Sequence, residues 1–195
     1  MKQWIALVML AGCAQAQAAQ FGGGLAIGAG RGDGQIDEGF ELDVDQQLFE
    51  FGFLMNMDLG ADSSLLMYRF GASILLQNVE TNDGGDQVSD KQALNLTNTL
   101  AFKFIAKPRF KLWAGPSLYL GAGDVTYASD DNESVYYAGL GPTVGIDYGI
   151  GQRGPTLALE LAYRFIRQDF ADDEIGFDTA ELNDVAVRFG LLFGD

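Results

Sequence analysis

Histidine is absent from the chain, and cysteine, proline and basic residues are scarce. Because histidine is the commonest acid–base group and metal ligand near neutral pH, much hydrolytic and metal chemistry lacks its usual donor here. The 12 lysines and arginines stand against 27 acidic residues, which excludes the clustered basic surface that nucleic-acid phosphates require. No stretch approaches the roughly 18 consecutive apolar residues of a transmembrane helix.

The N-terminal stretch "MKQWIALVMLAGCAQAQAAQ" has the three parts of a secretory signal peptide. Lys2 supplies the positive region, an apolar run follows, and small residues predict cleavage after Ala16 or Ala18. We therefore assign residues 1–18 to a signal peptide and 19–195 to a single exported domain. "LAGC" is an alternative signal, for lipidation at Cys13; ordinary cleavage is the favoured prediction, and it discards the only cysteine.

The rest of the chain alternates apolar and small or polar residues, again and again. "TLALELAYRFIR" and the C-terminal "VAVRFGLLF" show the pattern, which is that of β-strands with one apolar face. Eight such segments can be counted, and helical periodicity is not evident. We predict an all-β fold, an eight-stranded antiparallel up-and-down barrel.

The connections between these segments alternate between long and short. The long ones are predicted at 31–46, 78–92, 124–134 and 167–184, and they hold 21 of the 27 acidic residues. If neighbouring strands are antiparallel, all long acidic loops lie at one end of the barrel and all tight turns at the other.

Two kinds of barrel can use such strands. A soluble, lipocalin-like barrel turns the apolar face inward, whereas a transmembrane barrel turns it toward lipid. The polar faces here carry few charges and many small residues, and the strand number is even, with short turns at one end. These features favour a barrel in the bacterial outer membrane, with the acidic loops outside the cell.

In that arrangement the polar faces line the lumen, where an unpaired charge is costly. We predict a structural ion cluster of Glu160, Arg164 and Arg188 that plugs the barrel, and a second pair of Arg69 with Asp58. Eight strands leave an interior just wide enough for side chains to fill, so a clear aqueous pore is not expected.

The segments "LELAYRF", "KPRFKLWAGPSLYLGAG" and "VAVRFGLLF" resemble the OmpA/OmpX-like small outer-membrane β-barrel proteins. Members of that family usually end on an aromatic residue, which is an assembly signal for the barrel-insertion machinery. The resemblance implies this role for Phe189, Leu191 and Phe193, although Gly194 and Asp195 follow. Lipid-modifying barrels of this size rely on histidine, so the resemblance implies no enzyme here.

The sequence thus predicts a monomeric outer-membrane barrel with a structural or surface-interaction role, without catalysis, cofactor or assigned metal site. Its expected partners are outer-membrane lipid, lipopolysaccharide and the barrel-assembly machinery, and not nucleic acid. Two alternatives remain: a narrow channel or carrier for small hydrophobic molecules, and a soluble periplasmic lipocalin-like barrel. The acidic loops are also candidates for divalent-cation binding.

Overall fold

The computed structural model describes residues 16–36, 40–59, 65–81, 87–126, 132–151, 154–170 and 177–194. Eight strands account for nearly all of them: β1 (Ala16–Ile36), β2 (Phe40–Leu59), β3 (Leu66–Thr81), β4 (Gln87–Lys107), β5 (Phe110–Thr126), β6 (Asn132–Gly149), β7 (Thr156–Phe170) and β8 (Phe177–Phe193). Among the described residues there is no helix that could cross a membrane.

The strands form a closed barrel in which each one pairs with its sequence neighbours. Every pairing is antiparallel, and β1 closes the barrel against β8, from Phe21 opposite Phe193 to Ile36 opposite Phe177. The predicted eight-stranded antiparallel up-and-down barrel is confirmed. Closure leaves no strand edge with unpaired backbone groups, a requirement for a sheet in lipid.

The outer wall is apolar, whereas the interior combines buried charged and polar side chains with clusters of apolar ones. Along β7 the burial alternates residue by residue, with Leu159 and Leu161 exposed and Glu160 buried. Exposed phenylalanines, leucines and tyrosines on the other strands make a continuous apolar band, here called the apolar belt. A lipocalin-like barrel needs the opposite arrangement, because its apolar side chains face inward.

The strands are 15–21 residues long, whereas about 9–11 tilted residues cross a bilayer. The excess extends beyond the apolar belt into segments that the sequence predicted as long loops. That prediction is corrected: β1 continues to Ile36 and β8 already begins at Phe177. The reason is that polar residues with period-two alternation can continue a hydrogen-bonded ladder outside lipid. We call the end of the barrel at which these long connections lie the loop end, and the opposite end the turn end.

The expected division of the chain at residue 18 stays a prediction. Residues 1–15 lie outside the described part of the chain, and β1 begins at Ala16, within the expected signal peptide. The outermost connections at the loop end, 37–39, 82–86, 127–131 and 171–176, also lie outside it.

Two prolines interrupt the barrel wall at facing positions. Pro116 on β5 lies directly opposite Pro142 on β6. On its other side, each of these two strands has a gap in its pairing, β5 with β4 and β6 with β7. The residue pairs between β4 and β5 are interrupted between Thr99 and Phe102, and those between β6 and β7 are interrupted between Leu140 and Thr143. The cause is that proline has no backbone N–H. At Pro116 that donor would have pointed toward β4, and at Pro142 it would have pointed toward β7.

A glycine precedes each of these prolines, and a side chain there would not fit. A Cβ atom on Gly115 would lie 2.0 Å from the carbonyl oxygen of Leu100, and one on Gly141 would lie 1.8 Å from that of Tyr163. The repeated Gly-Pro pair therefore lets a neighbouring carbonyl approach closely where the ladder is broken.

Replacing Pro116 with alanine is expected to raise the free energy of unfolding by about 0.5–1.5 kcal/mol, because it restores one backbone donor to the β4–β5 ladder. Urea unfolding of the barrel refolded in vesicles measures this. Pro108→Ala is the control, since Pro108 lies in the turn between β4 and β5 and is expected to give no gain. A loss of stability in Pro116→Ala would contradict the explanation of the gap.

Candidate functional site

The most concentrated polar chemistry in the described chain is a group of charged side chains in the lumen. Seven of them alternate in sign and form an unbroken series of contacts, here called the lumenal ion network: Asp184, Arg164, Glu50, Arg188, Glu160, Arg69 and Asp147. They come from β2, β3, β6, β7 and β8. The series runs from the loop-end side of the lumen toward the turn end.

Arg164 holds the loop-end part of the network. Its Nε donates to Asp184 Oδ1 at 2.5 Å and its Nη2 to Asp184 Oδ2 at 3.0 Å. Its Nη1 donates to Glu50 Oε1 at 2.6 Å. Gln46 Nε2 donates to Asp184 at 3.2 Å. Because Arg164 is only 2 % exposed, its contacts with both carboxylates lie away from water, where leaving a charge without a partner is costly.

Glu50 joins the two halves of the network. Beside its contact with Arg164, its Oε2 accepts from Arg188 Nη2 at 3.0 Å. The same oxygen accepts from Ser73 and Asn95, each at 3.2 Å. Arg188 continues the series through Nη1, 3.4 Å from Glu160 Oε2. A carboxylate with this many hydrogen bonds is fixed in position.

Arg69 closes the series toward the turn end. Its Nη1 donates to Glu160, and its Nη2 donates to both oxygens of Asp147 at 2.7 and 2.9 Å. Asn56 accepts from Arg69 Nε at 2.7 Å and donates to Asp147 at 3.1 Å. The Arg69 guanidinium also lies 4.6 Å from the ring centroid of Trp113, a cation–π contact.

Aromatic side chains fill the lumen around the network. Trp113 and Tyr119 are almost fully buried, and Arg164 lies 5.4 Å from the Tyr119 ring centroid. Lys91 lies 4.1 Å from the centroid of the Tyr137 ring. Glycine is required where these rings lie against the wall, since a Cβ on Gly145 would lie 2.2 Å from the Trp113 ring.

A smaller cluster lies at the turn end. Asp58 accepts from Lys103 at 3.0 Å and from Lys111 at 3.2 Å. Arg69, which was predicted to pair with Asp58, contacts Asp147 and Glu160 instead. The register explains the difference, because Arg69 is the cross-strand partner of Asn56, which puts Asp58 two residues closer to the turns.

The structure brings Glu160 and Arg188 into contact and joins both to Arg164 through Glu50. Three carboxylates that the sequence did not predict also belong to the cluster: Glu50, Asp147 and Asp184. Glu50 and Asp147 alternate with apolar neighbours, and that signal places them in the lumen. Asp184 was expected in a loop, and only the length of β8 brings it into the barrel. That the cluster plugs the barrel stays a prediction.

The residues of the predicted assembly signal face outward. Phe189 is 56 % exposed, Leu191 37 % and Phe193 55 %, so all three belong to the apolar belt beside the closing β1–β8 seam. A surface of this kind is accessible to another protein before the barrel is surrounded by lipid. The signalling role itself stays a prediction.

Phe193→Ala is expected to lower the amount of folded protein in the outer membrane several-fold, because it removes the terminal aromatic side chain of the predicted signal. Immunoblotting of membrane fractions measures this. Phe104→Ala is the matched control, since Phe104 is 62 % exposed but lies far from the C-terminus. Equal loss in both variants would mean that belt area, and not the C-terminal signal, decides assembly.

The described residues contain no group of three or more cysteine, aspartate or glutamate side chains placed to hold a metal ion. A recess of about 220 Å³ opens at the turn-end mouth of the lumen. Asn56 and Asp147 contribute to its lining, and so does Asp58. The recess thus borders the turn-end part of the lumenal ion network, where Asn56 and Asp147 contact Arg69.

Comparison with known proteins concerns the fold. No protein-family model matches the chain, and no curated protein matches it. Among solved structures, the outer membrane protein OprG from Pseudomonas aeruginosa is similar with a TM-score of 0.61 and 12% identity, over 93% of this chain and 97% of that chain.

Two further structures match with lower scores. Neisserial surface protein A gives a TM-score of 0.38 at 12% identity, covering 88% of this chain and 96% of that one. The outer membrane protease OmpT from Escherichia coli gives 0.42 at 11% identity, covering 91% and 96%. These scores support no argument on their own. With OprG, the comparison establishes an outer-membrane β-barrel fold and no more.

Proposed function

We propose that the protein is a monomeric outer-membrane barrel with a closed lumen and a structural or surface-interaction role. The observation that carries the proposal is the lumenal ion network, which places paired charges from five strands in the barrel interior. The acidic loop end faces the cell exterior in this proposal. The OmpA/OmpX-like resemblance of the sequence is consistent with it.

Three observations support an outer-membrane location. The apolar belt exposes large side chains all around the barrel, which only lipid covers without cost. The barrel fold is shared with an outer membrane protein. The N-terminal segment has the pattern of an export signal. The soluble lipocalin-like alternative lacks support, because large apolar side chains cover the outer wall, which such a barrel would expose to water.

The connectivity of the network supports the proposal of a closed lumen. Each arginine bridges two carboxylates from different strands, so an ion or small molecule passing through would have to separate buried pairs. Separating such a pair costs several kcal/mol, about 3–5 when one partner is removed outright. A carrier for hydrophobic molecules would need an apolar path in the same space.

A non-catalytic role is part of the proposal. Each carboxylate of the network is held by at least one arginine in a buried ion pair, which fixes its position and occupies oxygens that a substrate would have to reach. With no histidine in the chain, an acid–base pair would have to come from carboxylate, lysine or tyrosine side chains. Outer-membrane lipid, lipopolysaccharide and the barrel-assembly machinery are the proposed partners.

The test has two parts. Boiled and unboiled samples of the outer-membrane fraction are compared by SDS gel mobility, and we expect a heat-dependent shift. Planar-bilayer recording of the purified barrel is then expected to show no steady conductance. Recovery of the protein in the soluble periplasm would contradict the location, and stable channels in the wild-type protein would contradict the closed lumen.

A further inference from the structure

The wall formed by β1, β2 and β3 changes character in three successive outward-facing rows near the loop end. The register aligns each row across the three strands. From the belt outward they are an apolar row, an amide row and a charged row: Ile27, Phe49 and Leu76; Ala29, Gln47 and Asn78; Arg31, Asp45 and Glu80. Such a sequence follows the change from acyl chains to headgroups at a membrane surface.

A recess of about 430 Å³ lies in the wall at the level of the amide and charged rows. Its volume falls in the range of small-molecule sites, about 300–1,000 Å³. Ala29 makes room for it, because Ala29 is the cross-strand partner of Gln47 and has a small side chain. Asn78 is the partner of Gln47 on the other side, so two exposed amides lie side by side.

The chemistry of the recess suits hydroxyl groups. Each amide offers two N–H donors and a carbonyl acceptor, and Asp45 and Glu80 add carboxylate acceptors. Arg31 pairs with Asp45 at 2.8 Å while its side chain stays 87 % exposed. One arginine against two carboxylates gives the recess a negative balance, which disfavours a polyanionic ligand.

From this arrangement we propose that the recess binds the saccharide headgroup of an outer-leaflet glycolipid, through sugar hydroxyls. The apolar row directly below would contact the acyl chains of the same lipid. The inference rests on the proposed outer-membrane location, with the loop end outward, and gives the proposed surface role a definite site. Phosphate groups on the lipid are not the recognised feature.

The test uses the purified, folded barrel in detergent. The probe is the oligosaccharide released from rough lipopolysaccharide and stripped of phosphate, with binding followed by isothermal titration calorimetry. The double variant Gln47→Leu, Asn78→Leu is expected to bind about tenfold more weakly, from the loss of two hydrogen-bonding side chains. Heat-dependent gel mobility verifies that each variant is folded.

Asn132→Leu is the matched control. Asn132 is an exposed amide on β6, which is four strands away from β2 in the eight-stranded barrel and thus on the opposite wall. We expect it to bind as the wild type does. Unchanged binding in the amide double variant would overturn the proposal.

A second probe separates sugar from phosphate recognition. The same oligosaccharide with its phosphates retained is expected to bind no more tightly than the stripped one. Tighter binding that is lost in Arg31→Gln would overturn the proposal in favour of charge recognition. These binding outcomes are independent of membrane fractionation, so a failure of the proposed location and a failure of the saccharide site are distinguishable.

Discussion

Replacing Arg164 with methionine is expected to lower the free energy of unfolding by about 3–5 kcal/mol. The change keeps most of the side-chain volume but leaves two buried carboxylates, Glu50 and Asp184, without their shared guanidinium. A buried ionised group without a partner is far more costly than the lost attraction alone. Urea unfolding of the barrel refolded in lipid vesicles, followed by gel mobility, measures the loss.

The chain supplies a matched control on the same strand. Arg167 also pairs with a carboxylate, Asp169, at 3.2 Å, but the two side chains are 61 % and 62 % exposed. Arg167→Met is therefore expected to change stability by no more than about 1 kcal/mol. Comparable losses in Arg164→Met and Arg167→Met would contradict the assignment of the lumenal ion network as a buried structural unit.

A triple variant tests the mechanism of the loss. Adding Glu50→Gln and Asp184→Asn to Arg164→Met removes the charge of Asp184, which has lost its arginine, and that of Glu50, which keeps only Arg188. This triple variant is expected to recover part of the stability. No recovery would mean that packing of the arginine side chain, and not charge compensation, is what the barrel loses.

Introducing lysine at Leu161 is expected to lower the free energy of unfolding by about 2–4 kcal/mol in a lipid bilayer. Leu161 is 48 % exposed and lies in the middle of five outward-facing apolar residues of β7, from Leu157 to Phe165. If lipid covers this face, a charge there is placed near the bilayer centre. The measurement is vesicle-based urea unfolding.

If lipid surrounds the apolar belt, the cost of a charged side chain depends on its depth in the bilayer. Phe165 lies at the border of the same belt, next to the naturally charged position Arg167. The cost of Phe165→Lys is expected to be smaller, because charges near the interface cost only about 0–1 kcal/mol. Equal costs at Leu161 and Phe165 would contradict the placement of the belt across the membrane.

Much of the fold was predictable from local pattern. The alternation in "TLALELAYRFIR" indicates which residues of β7 face outward, because successive side chains of a strand point to opposite faces. Strand order was predictable as well, since short turns make sequence neighbours antiparallel partners. The limits of the strands were not, because polar segments that continue a ladder outside lipid look like loops in the sequence.

The candidate site was predictable only in part. Glu160 and Arg188 are neighbours on adjacent strands, so an estimate of height along β7 and β8 was enough to pair them. Glu50 lies 114 residues from Arg164 and 138 from Arg188, and Arg69 lies 91 residues from Glu160. Nothing local in the sequence relates such positions.

By itself, then, the sequence determined that the chain forms eight two-faced strands and which side chains occupy each face, because the period of two is a local property. The tertiary structure decided which charges meet. Barrel closure and register set the position of every lumenal residue along the barrel axis. The narrow interior then lets side chains from opposite walls contact each other. That is why Arg69 reaches Asp147 and Glu160, and why Asp58 is held by two lysines instead.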